Sequence, residues 1–430
     1  MSNLIIKNGH IVDPGQGIDR TGDIFISNGK ITEPFTEGPD TTLIDADGMV
    51  VSPGFIDLHC HLRDPGFPDK ETIATGTRAA AKGGFTTICC MPNTKPALDS
   101  KETIGYVKST ALSQGVVRVL PIGCITKKRE GKELADLAEI AEAGAIGFSD
   151  DGSPVMNSAI MRQALEFTRE CGLPVMEHCE DINLTGKGQM NEGEFAGSLG
   201  LAGIPAESEE IIVARDLMLA KLTGGWLHIC HVSTAGSVEL IKQAKDRGVR
   251  VTCEVTPHHL TLTEEMVLGY DANAKVSPPL RTEKDNRALI QGLEEGVIDI
   301  IATDHAPHAE KEKMSGFLTA PSGISVFETA LGSLMSLVHN YDLDLMQLIN
   351  FLTAKPAKLL SRYGELGTLA PGAEADITVF DPNAEWVVNT NEFASKGKNT
   401  PLKGSTLRGK VITTIYQGKI VYKDKAFEIN

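Results

Sequence analysis

The chain has 430 residues, 41% of them hydrophobic and 23% charged, and a formal net charge of −16. That length suits one large barrel with an accessory domain, whose core needs neither a disulfide nor a structural metal. The acidic balance argues against nucleic acid or anionic lipid as partners, and no apolar run reaches the roughly 18 residues that span a bilayer.

The N-terminus alternates like a strand and lacks a basic stretch followed by an apolar one, so no secretory signal is expected and the cytoplasm is the expected compartment. Residues 3–12 read as strand, turn and strand, and Asp23-Ile-Phe-Ile-Ser-Asn-Gly-Lys-Ile repeats the pattern with Asn-Gly at the turn. The middle, roughly 52–365, alternates short apolar runs with helix-like segments. The runs are Phe55–Leu58, Thr86–Met91, Val117–Ile122, Ala145–Phe148, Pro174–Glu177, Leu227–Cys230, Val249–Val255 and Ile298–Ala302. The helical segments include Lys101–Leu112, Ala159–Glu170, Ser208–Leu222, Ala235–Arg247 and Glu283–Glu294. Eight β-then-α units predict an α/β fold, a closed (β/α)8 barrel of the TIM type. No Gly-x-Gly-x-x-Gly follows the first strand, which argues against an open dinucleotide-binding sheet. The C-terminal part returns to strands at Asp376-Ile-Thr-Val-Phe-Asp and Val411-Ile-Thr-Thr-Ile-Tyr. Neither end closes a sheet alone. Residues 1–52 and 366–430 are therefore expected to combine into one small β-sandwich domain, with 53–365 forming the barrel. The eight cysteines contain no Cys-x-x-Cys pair and mostly sit in apolar runs, as expected of buried reduced thiols.

Barrel chemistry sits at the C-terminal ends of the strands. The first strand ends in Asp57-Leu-His59-Cys-His61-Leu-Arg63, and residues two apart in a strand face the same side, so both imidazoles point one way. The fifth ends in Glu177-His178, the sixth in His228-Ile-Cys-His231 and the eighth in Asp304-His305-Ala-Pro-His308. Four strands thus deliver His or Asp to one rim, a nitrogen and carboxylate set that suits zinc. Asp150-Asp151-Gly152 follows the fourth strand; Asp150 suits an Asx turn and Asp151 the bridge between two metals. His228 and His231 are an odd number apart and cannot both be ligands in an extended strand. His231 lies nearer the rim, and His228 reads as a packed, hydrogen-bonded histidine. His258 and His259 read as loop histidines beside the site. The polar, Gly-punctuated segment Glu310–Phe317 reads as a lid or as a solvated charged loop.

Pro53-Gly-Phe-Ile-Asp-Leu-His-Cys-His-Leu-Arg-Asp-Pro-Gly66, Met91-Pro-Asn-Thr94, Ser149-Asp-Asp-Gly152, Glu177-His178, His231-Val-Ser233 and Ala302-Thr-Asp-His-Ala-Pro-His308 resemble, in this order, the dihydroorotases of the amidohydrolase superfamily. The resemblance implies reversible zinc-dependent hydrolysis of L-dihydroorotate to N-carbamoyl-L-aspartate in de novo pyrimidine biosynthesis. It implies two zinc ions per subunit, bridged by Asp151 and a hydroxide. His59, His61 and Asp304 would hold one, and His178 and His231 the other. It further implies Asp304 as the proton-transferring residue, and a substrate pocket of His61, Arg63, Asn93, Ser277, His308, Ser322 and Gly323. A homo-oligomer is expected, with association with an aspartate transcarbamoylase left open. Hydantoinases and allantoinases, the nearest alternative, bridge their metals with a carboxylated lysine at the fourth strand, and residues 145–152 contain no lysine. A third alternative, an inactive scaffold for the transcarbamoylase, would have lost metal ligands that this chain keeps. Ser277 stands where the family usually shows Asn, and Ser322 where it usually shows a bulky apolar residue; both bear on substrate choice.

Overall fold

In a computed structural model the chain is described over residues 3–341 and 343–429. Met1, Ser2, Asp342 and Asn430 lie outside the described residues, and the first strand is Leu4–Asp13.

Strands from both ends of the chain share one sheet. Leu4–Asp13 pairs antiparallel with Ile18–Ser27 on one side and parallel with Thr42–Asp45 and Val50–Val51 on the other. Val50–Pro53 then pairs antiparallel with Ile377–Phe380, which joins the two ends of the chain. Lys30–Thr32, paired with Ile18–Ser27, together with Thr406–Tyr416 and Lys419–Lys423 completes eight strands in a single hydrogen-bonded sheet. The Asn28-Gly29 turn has φ of 53° and 79°, and Gln417-Gly418 has 48° and 72°. Two successive left-handed residues match the right-handed twist of the strands they join. Ile6, Ile26, Ile44, Val51, Ile377 and Ile415 form the buried core of this layer, separate from the barrel core.

The barrel strands run parallel in two groups. Phe55–Cys60, Phe85–Cys90 and Arg118–Pro121 form one. Val175–Glu177, Leu227–Ile229, Val251–Val255 and Ile300–Ile301 form the other. Continuous ladders do not close the ring, which corrects the expectation of eight full strands. The fourth strand is reduced to bridges from Phe148 to Gly123 and to Val175. Its chain turns away at once into the Asp150–Gly152 turn, where Gly152 has φ of 78°. At the other seam, Cys60 bridges His305. There the buried Asp57 carboxylate accepts Thr303 N–H at 2.6 Å and Thr303 Oγ1–H at 3.0 Å, taking the place of a ladder carbonyl. Burial pushes the Asp57 carboxyl up to about 8, against those two hydrogen bonds.

The helices fall within a residue or two of expectation: Lys101–Gln114, Ser158–Cys171, Glu207–Thr223, Ala235–Asp246 and Glu283–Glu294. Ser100, Thr234 and Thr282 cap three of them, each side chain accepting a first-turn N–H. Between the fifth strand and the next long helix lies a segment that sequence periodicity does not reveal, two short helices and the two-residue pair Met190–Asn191 with Gly203–Ile204. The fully buried Arg281 holds it, donating to Asn191 Oδ1 and the Ile204 carbonyl, each at 2.8 Å.

Candidate metal centre and substrate pocket

The carboxylate of Asp151 sits among four imidazoles. Its Oδ1 lies 3.4 Å from His59 Nε2, 3.3 Å from His231 Nε2 and 3.6 Å from His178 Nδ1. Its Oδ2 lies 3.4 Å from His61 Nε2. Asp304 Oδ1 approaches His61 Nε2 at 2.9 Å and His59 Nε2 at 3.6 Å. All six side chains are buried. The donors divide into two overlapping groups, His59–His61–Asp151 and Asp151–His178–His231, which share Asp151.

Backbone geometry explains how they meet. His59 and His61 share one side of the first strand and its extension, two residues apart. The sixth strand ends at Ile229, and His231 turns into the site with φ of 35°; Asp304 does the same after the eighth, with φ of 44°. Non-glycine residues in this region are strained, and such strain collects at functional sites. Asp150 accepts the N–H groups of Ile125 and Thr126, at 3.0 and 3.1 Å, and the Thr126 hydroxyl. That fixes the turn and leaves Asp151 to face the histidines. Arg129 fastens the same turn, donating to the carbonyls of Asp150 and Asp151.

Other partners set the tautomers. His59 Nδ1 lies 2.5 Å from Glu254 Oε1. Burial opposes ionisation of Glu254, but the charges of His59 and His228 and their hydrogen bonds hold its carboxyl down to about 2. An ionised Glu254 can only accept, so His59 Nδ1 donates to it and Nε2 is the nitrogen that faces Asp151. His61 Nδ1 likewise lies 2.9 Å from Asn93 Oδ1, which turns the Asn93 NH2 toward the pocket and His61 Nε2 toward the carboxylates. His178 Nε2 rests on Glu180 at 3.1 Å, leaving Nδ1 for the centre.

These residues fit a metal pair. His59 Nε2, which faces Asp151, is a buried nitrogen with no hydrogen-bond partner among the described residues. His178 Nδ1 and His231 Nε2 stand 2.9 Å apart beside a carboxylate. The Asp151 carboxyl is held well below the usual range by these imidazoles, although burial opposes it, and Asp151 and Glu254 hold His59 well above its ordinary value, again against burial. Four nitrogens and two carboxylates around one point match the donor preference of zinc. A third group, His59–Cys230–Glu254, uses the opposite edge of His59, whose Nδ1 is already taken by Glu254.

A cavity of about 200 Å³ opens over this centre. His61, Arg63, Asn93, Ser277, His308, Ser322 and Gly323 all line it, as do Asp151, His178, His231 and Asp304; His59 lies beneath. Burial pushes the Arg63 guanidinium down to about 10, while Asp304 and Asp151 favour its charge. His308 is kept neutral by burial and by the cations Arg63, Lys70 and Lys313, which push it down to about 2. Its Nε2–H donates to the Ser322 carbonyl at 2.8 Å, so the ring braces the Ser322 loop. A larger cavity, about 360 Å³, lies between barrel and terminal sheet beside Phe327, Trp386 and Phe393; none of the metal donors lines it. Of the remaining histidines, His228 hydrogen-bonds Thr252 and Glu254, and His258 and His259 are buried without lining the pocket.

Sequence reasoning did not single out Glu254, Glu180 or Arg129. For Glu254 a signal existed, a lone carboxylate inside the apolar run Val251–Val255, since an unpaired Glu is seldom buried.

The family model described as dihydro-orotase-like matches residues 48–237, and that of the amidohydrolase family matches residues 231–422. The dihydroorotase of Geobacter sp. (strain M21) is 48% identical over 98% of this chain and 99% of its own. That of Aquifex aeolicus (strain VF5) is 50% identical over 99% and 100%. The chain belongs to the dihydroorotase family. Among solved structures, the L-hydantoinase (dihydropyrimidinase) from Arthrobacter aurescens superposes with a TM-score of 0.89 at 26% identity, covering 100% of this chain and 98% of that one. A D-hydantoinase superposes with a TM-score of 0.86 at 27% identity, covering 99% and 96%. The barrel with its terminal β layer is therefore shared with the hydantoinases, while the sequence lies with the dihydroorotases. The chain is a cyclic amidohydrolase by family, and its candidate bridging residue is an aspartate.

Proposed function

We propose that the chain catalyses the reversible zinc-dependent hydrolysis of L-dihydroorotate to N-carbamoyl-L-aspartate, the ring-opening and ring-closing step of cytoplasmic de novo pyrimidine synthesis. The observation that carries this reading is that Arg63 and Asn93, a pair suited to a carboxylate, line the same cavity as the Asp151-centred histidines. His59, His61 and Asp304 would hold one zinc, His178 and His231 the other, with Asp151 between them. When bound, the metal pair polarises the scissile carbonyl and lowers the pKa of a nearby water.

The protein's own residues orient the ring and move one proton. Arg63 presents a planar fork that matches the ring carboxylate with two hydrogen bonds. The Asn93 amide, oriented by His61, donates beside it. Water oxygen bonds to the ring carbonyl carbon next to the imide nitrogen, and the carbon–nitrogen bond breaks. Asp304 accepts the proton from the water and delivers it to the departing nitrogen, which is a poor leaving group unless protonated. The products are a ureido group and a new carboxyl, which keeps water's other proton until it ionises and releases it to solvent. In the reverse direction Asp304 takes that proton back from the ureido nitrogen. The register between Val50–Pro53 and Ile377–Phe380 supports dividing the chain into 1–52 with 366–430 as one domain and 53–365 as the catalytic barrel.

The test compares L-dihydroorotate with dihydrouracil, the same ring without its carboxylate, in wild type and Arg63→Ala. Strong preference for L-dihydroorotate in wild type, with a KM raised about 10²-fold in Arg63→Ala, is expected if the guanidinium grips the carboxylate. Equal use of both rings by wild type would remove the reading and favour a dihydropyrimidinase-like activity.

A further inference from the structure

The segment Glu310–Phe317, expected as a lid or a solvated loop, is anchored by a buried ammonium. Lys313 Nζ donates to three main-chain carbonyls, Ala272 at 2.9 Å, Lys275 at 3.3 Å and Pro321 at 2.8 Å. The Lys275 carbonyl also accepts Gly323 N–H at 2.9 Å. Lys275 in turn reaches back, its Nζ donating to Gln189 Oε1 at 2.6 Å and to the carbonyls of Phe317 and Leu318. Two lysines therefore cross-link the stretch 272–277 to the stretch 313–323. These stretches carry Ser277 and Ser322–Gly323, all of which line the cavity over the histidine centre.

We propose that Lys313 is a positioning residue that sets the width of the substrate cavity, by holding the Ser277 loop and the Ser322–Gly323 loop at a fixed spacing through its three carbonyl bonds. The proposal rests on the reaction proposed above for its kinetic consequences and on loop geometry alone for its structural ones. An ammonium suits this place because three acceptors converge and –NH3+ has three hydrogens to give. Among the described residues, no carboxylate pairs directly with Lys313. Its charged surroundings are Lys275 and Arg63, which repel it, and Asp271 and Glu312, which attract it. Burial first, then Lys275, push its pKa down to about 7. Above that pH the amine keeps two hydrogens for three carbonyls and the cross-link weakens.

Gly323 reports the cross-link directly. It has φ of 140°, and its N–H is tied to the carbonyl that Lys313 also holds. Hydrogen exchange followed by mass spectrometry on the zinc-loaded protein would compare wild type with K313M, which keeps length and removes all three donors. Exchange in peptides spanning 318–326 should speed up at least ~10-fold, with the helix Ala235–Asp246 unchanged. KM for L-dihydroorotate should rise about 10-fold and kcat fall less than about 3-fold, the signature of lost ground-state and transition-state binding alike. Unchanged exchange and unchanged KM in a folded K313M protein would overturn the proposal. If K313M does not fold, K313Q decides: it leaves two hydrogens for the three carbonyls, so exchange in peptides spanning 318–326 should still speed up at least ~3-fold, and unchanged exchange would contradict the clamp. Absence of any L-dihydroorotate turnover in wild type would count against the reaction, and the exchange result would still decide the clamp.

Discussion

Glu254 holds two imidazoles with one carboxylate, His59 through Nδ1 at 2.5 Å and His228 through Nε2 at 3.1 Å. Removing its charge frees the His59 ring to rotate and to change tautomer, although Glu254 need not touch a metal. Partners of this kind contribute about 10–100-fold to metal affinity. Glu254→Gln should therefore weaken zinc binding by that factor in a chelator competition, and an unchanged affinity would show that His59 is oriented by packing alone. Asp304→Asn keeps shape but cannot carry the proton. Its kcat should fall about 10²–10⁴-fold, with substrate affinity largely kept, measured by steady-state kinetics beside isothermal binding. Ordinary turnover in that variant would mean another group moves the proton. At this scale much was legible: the spacing of His59 and His61 gives two imidazoles on one side, and the odd spacing of His228 and His231 separates a packed histidine from a rim histidine. Glu254 and Glu180 were not read because a single carboxylate in a strand or after one has no spacing partner to mark it.

At the scale of elements, helices were easier to read than strands. Ser100, Thr234 and Thr282 announce helix starts with a side-chain oxygen, and the segments between them are long enough to show a period. The fourth strand is only a bridge at Phe148, and the pair Met190–Asn191 with Gly203–Ile204 has two residues a side, too few for alternation to register. A buried ion pair crosses the seam between barrel and terminal sheet, beside hydrogen bonds such as that from the Thr414 hydroxyl to the Ala81 carbonyl. Arg118, on the third barrel strand, donates to Asp376 at 2.7 Å, and both side chains are nearly buried. Arg118→Met removes the cation and leaves the carboxylate inside. A loss of about 3 kcal/mol is expected in chemical denaturation, since an unpaired buried charge costs more than the pair contributes. A loss below about 1 kcal/mol would mean that Gln417 N–H, which also donates to Asp376, suffices to hold it.

The whole molecule places an acidic surface around a pocket whose substrate side is cationic. The chain carries −16 overall, yet Arg63, Lys70 and Lys313 surround His308. A local concentration of positive charge in an acidic protein selects small anions without attracting polyanions. The sheet made from both ends of the chain was anticipated because neither end had strands enough to stand alone, whereas the way the ring is joined, by Asp57 and Thr303 at one seam, depends on side-chain contacts 246 residues apart and has no local signature. The two zinc ions proposed for the centre would bind the folded state alone. Chelation should lower the midpoint of thermal unfolding and abolish activity, and added zinc should restore both. Full activity after exhaustive chelation would contradict a metal mechanism.

The most direct measurement is turnover by zinc-loaded protein of L-dihydroorotate and N-carbamoyl-L-aspartate, with hydantoin and allantoin assayed beside them. Conversion of the first pair in both directions, with little or none of the others, is expected from Asp151 among the histidines and Arg63 in the cavity, and would show that Ser277 and Ser322 are compatible with that substrate. Preference for hydantoin or allantoin would contradict it and would mean that those two serines have redirected the pocket on an otherwise shared barrel.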